Sequence, residues 1–88
     1  MNKKNVVELF NECMDELYRA SDPPITWQEI LDKYIGDKER TEFYMHHKIT
    51  AENYTKITNK YRKKIPPLYR NSFAMFLLNY SPRECNNA

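Results

Sequence analysis

Four lysines, Lys56, Lys60, Lys63 and Lys64, recur about one helical turn apart within AENYTKITNKYRKK, and Arg70 follows them. Ammonium groups at that spacing suit contacts to a run of phosphates, which is what a nucleic-acid backbone offers. The wider charge pattern agrees. Residues 1–52 hold seven Lys/Arg against eleven Asp/Glu, net −4, whereas residues 53–88 hold seven against one, net +6. No acid lies between Glu52 and Glu84, and such asymmetry is a signature of nucleic-acid contact. The plainer reading is a solvated helix face that keeps the chain soluble. Tyr54 and Tyr61 interleave with the lysines in sequence but fall on the opposite side of a helical wheel. They read as core and not as platforms on which bases stack, so any such binding is electrostatic and largely blind to sequence. A third reading matches the acidic face of the first helix (Glu8, Glu12, Asp15) to this basic face, which suits docking between copies or onto another protein.

The other chemistry-bearing residues form no recognisable site. His46 and His47, with Cys13 and Cys85, are the available soft ligands. Adjacent histidines on a helix point about 100° apart, and the paired spacings of zinc sites are missing, so no metal is expected. Arg40, Glu42, His46 and His47 include acid–base types, but no nucleophile lies beside a base. Glycine occurs once, at Gly36. That excludes a glycine-rich phosphate loop, a dinucleotide fingerprint and a nucleophile elbow. The expectation is a non-enzyme without cofactor or small-molecule substrate. A helix–Gly36–helix outline resembles a DNA-reading helix-turn-helix, but the would-be reading helix opens Asp37-Lys38-Glu39-Arg40-Thr41-Glu42. Acids there oppose approach to phosphates.

The remaining candidate is apolar. IPPLYRNSFAMFLLNYSP, residues 65–82, is the greasiest run of the chain. On a 100° wheel Tyr69, Phe73, Phe76, Leu77 and Tyr80 form one stripe, read as core. Met75 and Leu78 fall elsewhere and are surplus to that stripe, while Ser72 and Asn79 share a polar line seven residues apart. These four residues are the candidate partner interface, with Ser72 and Asn79 placed to hydrogen-bond across helices and aromatic anchors nearby.

Five helices are expected to position these groups. The first runs from about Lys3 to Arg19, with Val6, Phe10, Cys13, Met14 and Leu17 inward and Val7 and Tyr18 widening the stripe. Ser21-Asp22-Pro23-Pro24 ends it. Thr26 and Glu29 make a capping box for a helix from about Trp27 to Ile35, stopped by Gly36. Asp37 caps a third, about Lys38 to His47. Thr50 caps a fourth, about Ala51 to Lys63, with Ala51, Tyr54, Ile57, Thr58 and Tyr61 inward. The last runs from about Pro67 to Asn79, since proline is tolerated in a first turn and Ser81-Pro82 marks a stop.

The predicted class is therefore all-α: one compact five-helix domain over residues 1–88, with the apolar C-terminal helix central and residues 83–88 a frayed polar tail. No apolar run is long enough to span a membrane. The N-terminus, cut by Glu8, Glu12, Asp15 and Glu16, lacks the apolar core of a signal peptide. The default compartment is the cytoplasm, where a structural disulfide between the two cysteines is not expected. Two functions of different class follow. One is a protein–protein interaction module, self-associating through Met75, Leu78, Ser72 and Asn79. The other is a nucleic-acid-binding accessory or regulatory protein using Lys56, Lys60, Lys63, Lys64 and Arg70.

Overall fold

A computed structural model describes residues 5–33 and 47–85. Local capping chemistry sets its helix starts. The Asn5 side chain accepts a bond from the Glu8 N–H (2.9 Å) and opens α1, Val6–Arg19. Thr26 accepts from the Glu29 N–H (3.1 Å) and its hydroxyl donates to the Glu29 carboxylate (3.0 Å), opening α2, Trp27–Lys33. Thr50 ends a short strand, β1, Lys48–Thr50, and at the same time caps α3, Ala51–Lys64, by accepting from the Asn53 N–H (3.2 Å). A single 3₁₀ turn, Pro67–Tyr69, leads into α4, Arg70–Tyr80. The last element is β2, Arg83–Cys85.

The hub of the core is α1, not the C-terminal helix. Leu9, Cys13, Met14, Leu17 and Tyr18 are all buried on α1, and this helix packs against α2, α3 and α4. Each fully buried Leu or Met contributes roughly 1.5–3 kcal/mol. The other elements cover this stripe with Trp27 and Ile30 from α2, Ile49 from β1, Tyr61 from α3, Ile65 from the following turn, and Phe73 and Leu77 from α4. Tyr18 ties three segments together. Its ring stacks on Trp27 with centroids 5.8 Å apart, its carbonyl accepts from the Ser21 hydroxyl and the Ile25 N–H, and its own hydroxyl donates to the Tyr80 carbonyl at 2.6 Å.

Several expectations change here. The described residues contain four α-helices and a short two-stranded parallel sheet, so the five-helix count is not matched. The predicted third helix, apart from His47, lies outside the described residues, as does Gly36. The expected central position of the C-terminal helix gives way because only Phe73 and Leu77 of α4 are buried. Phe76 is half-buried, while Tyr69 and Tyr80, assigned to the core stripe, keep 41% and 36% exposure. On α1, Leu9 is buried where Val7, at 65% exposure, was expected to widen the stripe. Arg83–Cys85, read as frayed tail, pairs in parallel with β1, Ile49 opposite Glu84, and Pro82 before it is buried. Asp22, in the predicted break, adds an antiparallel bridge to Lys48, so the α1–α2 loop and β2 both fasten onto β1.

Candidate functional site

A cluster of polar side chains joins α1 and α3. Glu16 projects from α1 towards Lys60 and Tyr61, adjacent residues one turn before the end of α3. Both carboxylate oxygens accept from Lys60 Nζ at 3.0 Å, and one also accepts from the Tyr61 hydroxyl. Burial alone would raise the Glu16 carboxyl, but the Tyr61 hydrogen bond and the Lys60 ammonium outweigh it and hold its pKa below the ordinary value. Tyr61 moves the other way: burial, and then the carboxylate it bonds, push its phenol well above the usual range. Cys13, a free buried thiol, is pushed up to about 12 by burial and by the charge of Glu16. A thiol and a phenol raised this far are not nucleophiles at neutral pH. The cluster pins α3 to α1.

This geometry divides the predicted basic residues. Lys60 and Lys64 bracket the Tyr61 ring, their ammonium groups 5.3 and 5.2 Å from its centroid, and Lys60 also holds Glu16. They belong to the α1–α3 contact. Of the acids on α1, Glu16 meets Lys60 within the chain, and Asp15 bonds Arg19 (2.7 Å) and the Trp27 N–H (3.0 Å). The partner of Lys60 is thus Glu16, which lies outside the predicted Glu8, Glu12, Asp15 face, and Asp15 of that face is bonded on α1 and α2 instead of to α3. Tyr61 is buried and Tyr54 half-buried, as the wheel indicated.

Lys63 and Arg70 come together instead around a crevice between the end of α3 and the start of α4, completed by Asn59 and Arg62. Asn59 Oδ1 accepts from Arg62 Nη1 at 2.6 Å and orients the guanidinium. All four residues are exposed, as is Lys56 two turns back along α3. The sequence reading missed Asn59 and Arg62. The signal available was their i, i+3 spacing, which lets an amide steer a guanidinium on a helix surface.

The apolar candidates lie on the outward side of α4. Met75 is 57% and Leu78 77% exposed, with Ser72 and Asn79 exposed beside them. Their neighbours on that side, Asn71 and Ala74, are uncharged and exposed. The inward side is fixed by Phe73 and Phe76, whose rings lie 5.4 and 5.1 Å from Phe10 of α1. Leu68, in the 3₁₀ turn, is 82% exposed and was not anticipated.

His47 is buried and close to a carbonyl. Its Nδ1 lies 2.8 Å from the Pro23 oxygen, which can only accept, so Nδ1 carries the proton and donates. Among the described residues no group of three His, Cys, Asp or Glu side chains is arranged to hold a metal ion, and no helix is long and apolar enough to cross a membrane. Comparison with protein families, curated proteins and solved structures finds no match to this chain.

Proposed function

We propose that this chain is a non-enzymatic helical protein–protein interaction module that self-associates through the outward face of α4. The observation behind the proposal is the exposure of Met75 and Leu78 on a helix whose opposite side is buried at Phe73 and Leu77. The outward positions, Asn71, Ala74, Met75, Leu78 and Asn79, carry no charge, so the face can meet its own copy about a two-fold axis without repulsion. Ala74 allows close helix approach, and Asn79 supplies a group that hydrogen-bonds across the contact. The energetics set the strength. Scaling roughly 1.5–3 kcal/mol per fully buried side chain by their exposure gives about 2–4 kcal/mol per copy for the two residues, or about 4–8 per dimer. Association costs about 4–15 kcal/mol in lost freedom, so the contact is weak and concentration-dependent.

Sedimentation velocity over a wide concentration range tests this. The expected result is a sedimentation coefficient that rises with concentration, and that stays at the monomer value for Leu78→Glu. A wild-type chain that remains monomeric at the highest concentration reached counts against self-association.

A second reading, nucleic-acid binding by an accessory protein, is supported by the convergence of Arg62, Lys63 and Arg70 on one crevice. Retardation of a nucleic acid at low salt is its test; no retardation of any duplex or single strand removes it.

A further inference from the structure

We infer that the crevice formed by Asn59, Arg62, Lys63 and Arg70 is a seat for backbone phosphates of a nucleic-acid duplex; this rests on the second reading above and assigns its site. The argument begins with helix electrostatics. Arg62, Lys63 and Lys64 close the last turn of α3, where cations complement the negative end of the helix dipole. That alone accounts for basic residues on α3. It does not account for Arg70. Arg70 opens α4, whose first turn holds no acid and whose start has no side-chain cap. A helix start is the positive end of the dipole, where a cation is disfavoured. The fold thus brings a third cation up to two others at a position that repels it. The sequence offers no acid between Glu52 and Glu84 to relieve this, and among the described residues neither Lys63 nor Arg70 forms an ion pair. An external anion resolves the conflict.

The donors suit phosphate. Arg62 and Arg70 are planar forks that match phosphate oxygens, and Asn59 sets the orientation of Arg62. Lys56 lies outside the crevice but on the same side of α3 as Lys63. Lys56 and Lys63, both exposed, are seven residues apart on α3, about 10 Å along the axis, the rise of about three nucleotides of one strand. None of the four lining residues is aromatic, so the crevice lacks the aromatic platforms that single-strand sites use for successive bases. This favours a duplex, bound by its backbone, over a single strand. Lys60 and Lys64 stay outside the site, because their ammonium groups are already placed over Tyr61.

Fluorescence anisotropy of labelled, mixed-sequence DNA and RNA duplexes over a salt series tests the assignment. Each phosphate-contacting side chain removed lowers the salt slope by about 1. The double variant Arg62→Gln/Arg70→Gln is expected to lower it by about 2 for both duplexes, and Lys60→Gln/Lys64→Gln to leave it unchanged. Arg70→Glu is expected to raise the melting temperature of the free protein, since it removes the repulsion, while weakening duplex binding. Circular dichroism confirms that each variant folds. Duplex binding lost equally with Lys60→Gln/Lys64→Gln overturns the site while leaving nucleic-acid binding intact. No binding to either duplex, whether or not a phosphorylated peptide or a single strand binds, overturns the proposal, and no binding to any nucleic acid removes the second reading with it.

Discussion

Replacing Tyr61 by Phe removes one hydroxyl and leaves the buried ring in place. The hydroxyl donates to Glu16, and Lys60 supplies the other contact to that carboxylate. A hydrogen bond to a charged partner contributes about 1.5–3 kcal/mol. The Glu16 side chain is 34% exposed, so water recovers part of what the carboxylate loses, and the expected cost of Tyr61→Phe is about 1–2 kcal/mol. For a domain of this size that lowers the melting temperature by roughly 4–16 °C. The loss is expected to depend on pH. The folded pKa of Glu16 lies below its ordinary value of 4.5, so its contribution is complete above that value and is lost as pH falls through the folded pKa. Without the Tyr61 hydroxyl the folded pKa moves back up and less is lost in acid. Urea unfolding followed by circular dichroism should therefore give stability curves well separated at neutral pH that converge as pH falls below 4.5. Equal stability at neutral pH would refute the reasoning. So would a gap that stays constant into acid, because it would assign the effect to ring packing alone.

The two sides of α4 should respond oppositely to truncation. Phe73→Ala, at a residue 1% exposed, is expected to cost about 3–5 kcal/mol, and Leu78→Ala less than about 0.5 kcal/mol in the monomer, both read by urea unfolding at low protein concentration. In a Cys85→Ser background, Cys13 should not react with a thiol reagent at neutral pH until the chain unfolds, because burial both shields the thiol and raises its pKa to about 12. Labelling during native incubation, detected by mass spectrometry, would contradict this.

The sequence displays those features whose cause is local. The Thr26–Glu29 box, the Thr50 cap and the Pro66-Pro67 entry each depend on a few adjacent residues, and each stands where the residues place it. The choice of hub was not local. Residues 65–82 are the most apolar stretch, yet the half-polar α1 has the better-defined stripe and more elements packed on it, so it takes the centre and leaves α4 one outward side. The strands left almost no trace: three residues each, one buried side chain in β1, and a pairing across more than thirty residues of chain. Where the basic side chains lie was legible in part. Lysine spacing marked α3, but Lys60 is drawn away by Glu16, 44 residues earlier. Arg62 enters the crevice because the turn at Ile65–Pro67 folds Arg70 back beside it. Long-range contacts of this kind decide which charges are taken up inside the fold. Met75 and Leu78, in contrast, were legible as surplus because a helix has only one side to give to the core.

The most direct measurement of self-association through α4 is methyl NMR with isotope-labelled methionine over a concentration series. Of the four methionines, Met14 is fully buried and Met75 is 57% exposed on the outward face. The predicted result is a Met75 methyl signal that shifts and broadens with concentration while Met14 stays fixed, the effect vanishing in Leu78→Glu. A Met75 signal that does not move while the sedimentation coefficient rises would place the interface elsewhere. One that does not move while the protein stays monomeric would contradict the account.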